Sequence, residues 1–224
     1  MKEFITNSYN GETELPLDNA TVIAMDFPTH GERAGEGKSS GESYFTSNFP
    51  KNRINTYQSY FDLGVFLKTL NSGQFDLNDN GIMNNATVVT DPPKIQDPED
   101  FEDFPANIYF VGQSLGSIVG SVAVQQENIN ATLAVGGANF ASILDAAKAK
   151  PIKDLVNQFE GEKNTTKYFT TLGVMQLIQD PADPVNLVDM DKPDYIMLQN
   201  AHKDTWVPNV SNEILANAFG YGSN

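Results

Sequence analysis

The stretch Phe110-Val111-Gly112-Gln113-Ser114-Leu115-Gly116-Ser117-Ile118-Val119-Gly120 decides how this chain is read. It enters as an apolar strand from Asn107 to Val111, passes through Gly-x-Ser-x-Gly, and continues from Ser117 to Gln126 in a helical pattern. A serine at a sharp strand-to-helix turn takes a strained backbone conformation. Small residues two before and two after it, here Gly112 and Gly116, let strand and helix come close enough to make that turn. The helix N-terminus then lies beneath the hydroxyl, where its dipole and unpaired N–H groups stabilise negative charge. Ser114 is therefore the candidate nucleophile, and the N–H of Leu115 the candidate oxyanion donor.

Outward from this turn, Ala20–Met25 is a continuous apolar run of the kind buried on both faces of a parallel sheet, Thr132–Gly137 is another buried strand, and Tyr195–Gln199 is the last strand. Between them, Ile54, Tyr57, Phe61, Val65 and Leu67 recur near helical spacing, predicting an amphipathic helix over 53–70 that buries this face. A closing helix is expected over 212–219. Strands alternating with helices indicate an α/β fold, a reduced parallel sheet flanked by helices. Apolar patches at Ile143-Leu144, Leu155-Val156 and Val174 to Ile178 place a helical cap insertion over 140–182. Residues 71–106, polar and acidic with the run Asp97-Pro98-Glu99-Asp100, are expected to lack regular structure. The whole span 1–224 reads as one domain.

Composition narrows the chemistry. Against 14 Lys and Arg stand 29 Asp and Glu, a formal net charge of −15, which repels nucleic acid and anionic membranes. The absence of cysteine excludes disulfides, a thiol nucleophile and thiolate metal sites. No run approaches membrane-spanning length, and Met1-Lys2-Glu3-Phe4-Ile5 lacks the apolar stretch of a signal peptide. The expectation is a soluble protein, either exported by a bacterium with its leader absent from this chain or cytoplasmic. Asp76-Leu77-Asn78-Asp79-Asn80-Gly81 matches the first half of a calcium loop, but Thr87 stands where the loop needs a bidentate Glu. A structural calcium near Asp76–Asn80 and a plain polar turn are the two readings of that segment, and no cofactor is required. Asn85, Asn130 and Asn164 begin glycosylation triplets of a kind that arises by chance in an Asn-rich chain.

A serine hydroxyl needs a base within hydrogen-bond reach and a carboxylate to orient that base. Asp204 lies just past the last strand, on the sheet edge from which Ser114 emerges, because parallel strands deliver their C-terminal ends to one side. Asp183 is a rival acid, with a helix start as its structural alternative. The chain has two histidines. His202 is close to Asp204 in sequence and on the expected edge, so it is the working base. His30, in Pro28-x-His30-Gly31-x-Arg33, orders its loop or serves as base in place of His202. The backbone of Thr29-His30-Gly31 is the local candidate for a second oxyanion donor.

With the elbow, Asp26-x-Pro28-x-His30-Gly31-x-Arg33, Asp180-Pro181-Ala182-Asp183-Pro184 and Asp204-x-x-Val207-Pro208-Asn209 in place, the chain resembles the serine α/β-hydrolases. Within them it looks most like bacterial extracellular or lipoprotein lipases and esterases, over about residues 20 to 210. The resemblance implies carboxylic-ester hydrolysis through an acyl-enzyme beneath a cap over an apolar acyl pocket. It carries Ser114 over as nucleophile, Asp204 as acid and Leu115 as oxyanion donor. The chain departs from the family pattern where strands should precede Thr21–Met25, and no histidine follows Asp204. The expectation is therefore an esterase or lipase using His202 on a small ester or lipid substrate. The alternative is a catalytically silent or partner-dependent binding module or fragment. Missing neighbour strands would expose sheet edges and favour self-association.

Overall fold

Three short strands run parallel in the order β1 (Phe110–Gln113), β2 (Ala131–Ala134), β3 (Ile196–Gln199), with Phe110 opposite Ala131 and Ala131 opposite Ile196. A computed structural model supplies this architecture and describes residues 23–71, 74–75, 84–85, 108–159, 161–188 and 195–222. The helices are α1 (Phe49–Asn71), α2 (Leu115–Gln126), α3 (Phe140–Ala146), α4 (Lys150–Val156), α5 (Thr166–Gln179), α6 (Pro184–Leu187) and α7 (Asn209–Ala218). The fold is α/β, as the alternation of patterns predicts, with these three strands sending their carboxyl ends to one edge.

Alternation along the strands selects the buried face. Ala131, Leu133 and Ile196 pack with Tyr60, Leu63 and Leu67 of α1, Val119, Val122 and Ala123 of α2, and Leu215 and Phe219 at the chain end. Each such aliphatic side chain contributes about 1.5–3 kcal/mol when fully buried. Helix α2 is the most enclosed element, with Ser117 through Val124 all buried. Residues 140–182 form helices around a second cluster, in which Phe140, Ile143, Tyr168, Leu172 and Met175 meet Ile118 of α2. Among the described residues no helix is long and apolar enough to cross a membrane.

Four expectations change. Ile23–Met25 has no strand pairing, and Ala20–Val22 lie outside the described residues. The strands are not buried on both faces: Val111 is 72% exposed, and Tyr109 and Tyr195 are also open on that side. Alternate residues here meet helices on one face only, and β1 has no outer neighbour among the described residues. In the span 71–106, α1 reaches Asn71 and Gln74–Phe75 pairs antiparallel with Asn84–Asn85; the rest, including the proposed calcium loop at Asp76–Asn80, lies outside the described residues.

The fourth change concerns the face of α1. Ile54, Tyr57, Phe61 and Val65 are exposed, whereas Asn52, Asn55, Thr56 and Ser59 are buried. The cause is the 43–46 loop, which lies on the first half of the helix and is held by its polar side chains. Asn52 Nδ2 donates to Thr46 O (2.7 Å), Asn55 Nδ2 to Tyr44 O (2.9 Å), and the Tyr44 and Ser59 hydroxyls meet at 2.8 Å. Burial of these amides and hydroxyls is tolerable because each has a partner.

Tyr44 gives this packing a pH signature. Burial raises its phenol to about 12, partly offset by hydrogen bonds to Ser59 and Thr56. A pKa raised on folding means the native state holds the proton more tightly. That contribution is complete below the unfolded value of about 10 and is lost as pH rises toward 12. We expect urea midpoints to fall between pH 9 and 12 and Tyr44→Phe to flatten the decline. An unchanged slope in Tyr44→Phe would remove this tyrosine as its source.

Candidate active site

Ser114 caps the N-terminus of α2 with φ 52° and ψ −116°, a conformation L-residues rarely take. Its N–H donates to Ala134 O at 2.9 Å, and its own carbonyl accepts from Ser117 N (2.9 Å) and Ile118 N (3.0 Å). The turn is thus bonded to the neighbouring strand on one side and to the helix on the other. Gly112 is required by close approach, since a Cβ there would lie 2.6 Å from Gly116 O. Ser114 is half-buried, and its Oγ makes no hydrogen bond to another described residue. Leu115 is the first helical residue, so its N–H has no intrahelical acceptor and sits at the positive end of the helix dipole.

Three of the other positive-φ residues lie at the same edge, while Thr29, Asn128 and Asn164 lie elsewhere. Ser114, Val135, Asn139 and Lys203 all have positive φ and all lie in the connections leaving the three strands. For β-branched Val135, at φ 48°, this is costly, and such strain collects where surrounding bonds over-determine the backbone. Those bonds are visible. Ser211 Oγ donates to Ala138 O at 2.6 Å while Ala138 N returns a bond to Ser211 O, and Asn212 Nδ2 donates to Gly136 O. Asn209 accepts from Lys203 N at 3.0 Å and donates to Ala201 O at 2.8 Å. A Cβ on Gly137 would lie 2.3 Å from Ser211 Oγ, so the loop after β2 can press onto α7 only with glycine there. Of Asn209, Ser211 and Asn212, only Asn209 carries a local signal, its place in the Val207-Pro208-Asn209 run.

The candidate acids separate clearly. Asp183 is fully buried, and its carboxylate takes four donors: Asn139 N (2.8 Å) and Val185 N (3.1 Å) on Oδ1, Phe140 N (2.8 Å) and Gln176 Nε2 (3.0 Å) on Oδ2. A carboxylate offers about four lone-pair sites, so Asp183 has none left for an imidazole. It caps α6 and anchors the start of α3. Asp204 is half-buried and uses one oxygen in a turn, Oδ1 accepting from Trp206 N (2.8 Å) and Val207 N (3.2 Å). Its Oδ2 keeps free acceptor capacity.

His202 is exposed in the turn that carries Asp204. Among the described residues no hydrogen bond joins Ser114 Oγ, His202 and Asp204. His30 is built into its own loop: Nδ1 lies 3.0 Å from Pro28 O, and the ring meets Tyr44 edge-on at 5.2 Å. The aromatic contact continues through Phe45 to Phe140, tying this loop to the start of α3. Arg33 completes the loop by donating to Asp26 O (2.9 Å) and pairing with Asp62 (2.7 Å). His30 N and Gly31 N are bonded to Phe27 O and Ser40 Oγ, so neither is free to serve as the second oxyanion donor.

Two clefts, of about 420 and about 580 Å³, lie away from this edge, one along α1 and one between α3, α4 and α5; Ser114 lines neither. No group of three metal-ligating side chains occurs among the described residues. No protein-family model, curated protein or solved structure matches the chain.

Asp183→Ala is expected to destabilise the fold by about 3 kcal/mol or more, because buried N–H groups lose their acceptor. Chemical denaturation measures this, and a loss below about 1 kcal/mol would contradict the anchoring role. Gly112→Ala should cost about 1–3 kcal/mol through overpacking against Gly116. An unperturbed melting temperature in that variant would show that the approach is not tight.

Proposed function

We propose that this protein hydrolyses carboxylic esters with Ser114 as nucleophile. The supporting observation is the backbone of Ser114, φ 52° and ψ −116°, between the end of β1 and the N-terminus of α2. Ser114 Oγ attacks the ester carbonyl, the alcohol departs, and water hydrolyses the acyl-serine. The N–H of Leu115 stabilises the negative carbonyl oxygen during both steps. His202 takes the serine proton and passes it to the leaving alkoxide, while the open Oδ2 of Asp204 accepts from the imidazole. This assignment requires the 200–207 turn to bring His202 to Ser114 when substrate binds, and apo sites are often loose in this way. The substrate is a small ester or lipid, and the reaction calls for no cofactor.

The missing hydrogen bonds among Ser114, His202 and Asp204 favour a second reading, a catalytically silent binding module on the same scaffold. Hydrolysis of p-nitrophenyl acetate and butyrate separates the two. Under the esterase reading, Ser114→Ala and His202→Ala each lower kcat/KM by about 10⁴-fold or more, and a fluorophosphonate labels Ser114. Turnover that survives Ser114→Ala would sink the assignment. Loss in Ser114→Ala with retention in His202→Ala would transfer the base role to His30 or to a second chain. Neither turnover nor labelling would leave the binding module.

A further inference from the structure

Helix α1 carries an apolar stripe that nothing among the described residues covers. Ile54 is 62% exposed, Phe61 68% and Val65 49%; Tyr57 beside them keeps its ring open while its hydroxyl donates to Pro181 O. At about 100° per residue, Ile54, Tyr57, Phe61, Val65 and Lys68 fall within an arc of about 80°, and Lys51 lies at its margin, widening the arc to about 120°. Phe61 and Val65, with Asp62, Phe66 and Thr69 of the same helix, line the cleft of about 420 Å³, which Met25 and Arg33 complete. An apolar helix face of this size, next to a shallow cleft that also holds the Arg33–Asp62 ion pair, is unusual on a monomer surface and marks interaction sites.

Charge selects the occupant. Although the whole chain is strongly acidic, α1 holds three cations, Lys51, Arg53 and Lys68, against the single carboxylate Asp62. Asp62 is itself paired with Arg33. The stripe is therefore apolar in its middle and positive at both ends. A second copy fits poorly. Antiparallel stripes would set the Lys51 end of one copy on the Lys68 end of the other, and parallel stripes would set each cation opposite itself.

We propose that this face of α1 docks an acidic amphipathic helix of another protein, with aromatic or leucine anchors in its middle and carboxylates at both ends. One anchor enters the cleft beside Phe61, and the terminal carboxylates meet Lys51 and Lys68. This is the helix-in-groove mode of recognition, in which a few apolar anchors carry the affinity and rim charges set orientation and on-rate.

The test uses the full chain and a fluorescein-labelled synthetic helix with phenylalanine and leucine on one face and glutamates at both ends. A twin peptide carries lysines in place of the glutamates. Anisotropy should show saturable binding of the acidic peptide that weakens with added salt, and no binding of the lysine twin. The Phe61→Ser, Val65→Ser double variant should weaken binding by about tenfold or more, and Lys68→Glu should weaken it by less. These side chains face solvent, so circular dichroism should be unchanged and the loss assignable to the surface. No saturable binding, or equal binding of the lysine twin, overturns the proposal. So would a dimer in sedimentation that the double variant abolishes, or flotation with phosphatidylcholine vesicles that it abolishes. Binding that appears only after deletion of residues 91–105 would make this chain's own acidic stretch the occupant and would equally overturn it.

Discussion

One buried hydroxyl holds the centre of this structure together. Ser117 Oγ lies 2.8 Å from Gly112 O and 2.8 Å from Ala134 O, so a single O–H bridges the ends of two neighbouring strands. Because Ser117 sits in the first turn of α2, that bridge fixes where the helix begins relative to both strands. Ser114 N–H shares the same Ala134 carbonyl. With the strand ends and the helix start locked, the residue between them has little conformational choice. The positive φ of Ser114 is the consequence, and the strain is held by bonds on either side of it.

Around that centre, polar side chains do work that apolar packing cannot do for loops. Each connection leaving the sheet carries backbone groups that no strand or helix satisfies, and buried ones must find partners. Asp183 serves the turn into α3, Asn209 the turn after β3, and Ser211 with Asn212 the turn after β2. The carboxyl edge of the sheet is thereby built mostly from side chain–backbone bonds. The His202 side chain stands outside that network, exposed on the turn whose backbone Asn209 holds.

Much of this was legible from residue order. The Gly-x-Ser-x-Gly turn appears where the apolar strand meets the helical pattern, because both signals are local and reinforce each other. The cores of β2, β3 and α7 fall inside the segments expected for them, with ends shifted by a few residues. The failures share a cause. Ile54, Tyr57, Phe61 and Val65 have the spacing of a buried face, yet the 43–46 loop and helix α2 take the side bearing Asn52, Thr56 and Leu63. Periodicity identifies an apolar stripe but not which stripe meets the core. In the same way, an aspartate in a turn reads alike at Asp183 and Asp204, though one has every lone pair occupied and the other does not.

By itself the sequence determined what depends on neighbours along the chain: the α/β alternation, the strained serine and the glycines that admit the helix beside it. Tertiary structure alone decided which face of α1 is covered, which aspartate keeps an open oxygen, and that His30 is held within its own loop. His30 and Asp204 take backbone partners two or three residues away, but the Tyr44 ring against His30 and the pairing of Asp183 with Phe140 or Asn212 with Gly136 join residues farther apart in sequence. Such pairings are set by how loops settle against the sheet, and no local pattern of residue types encodes them.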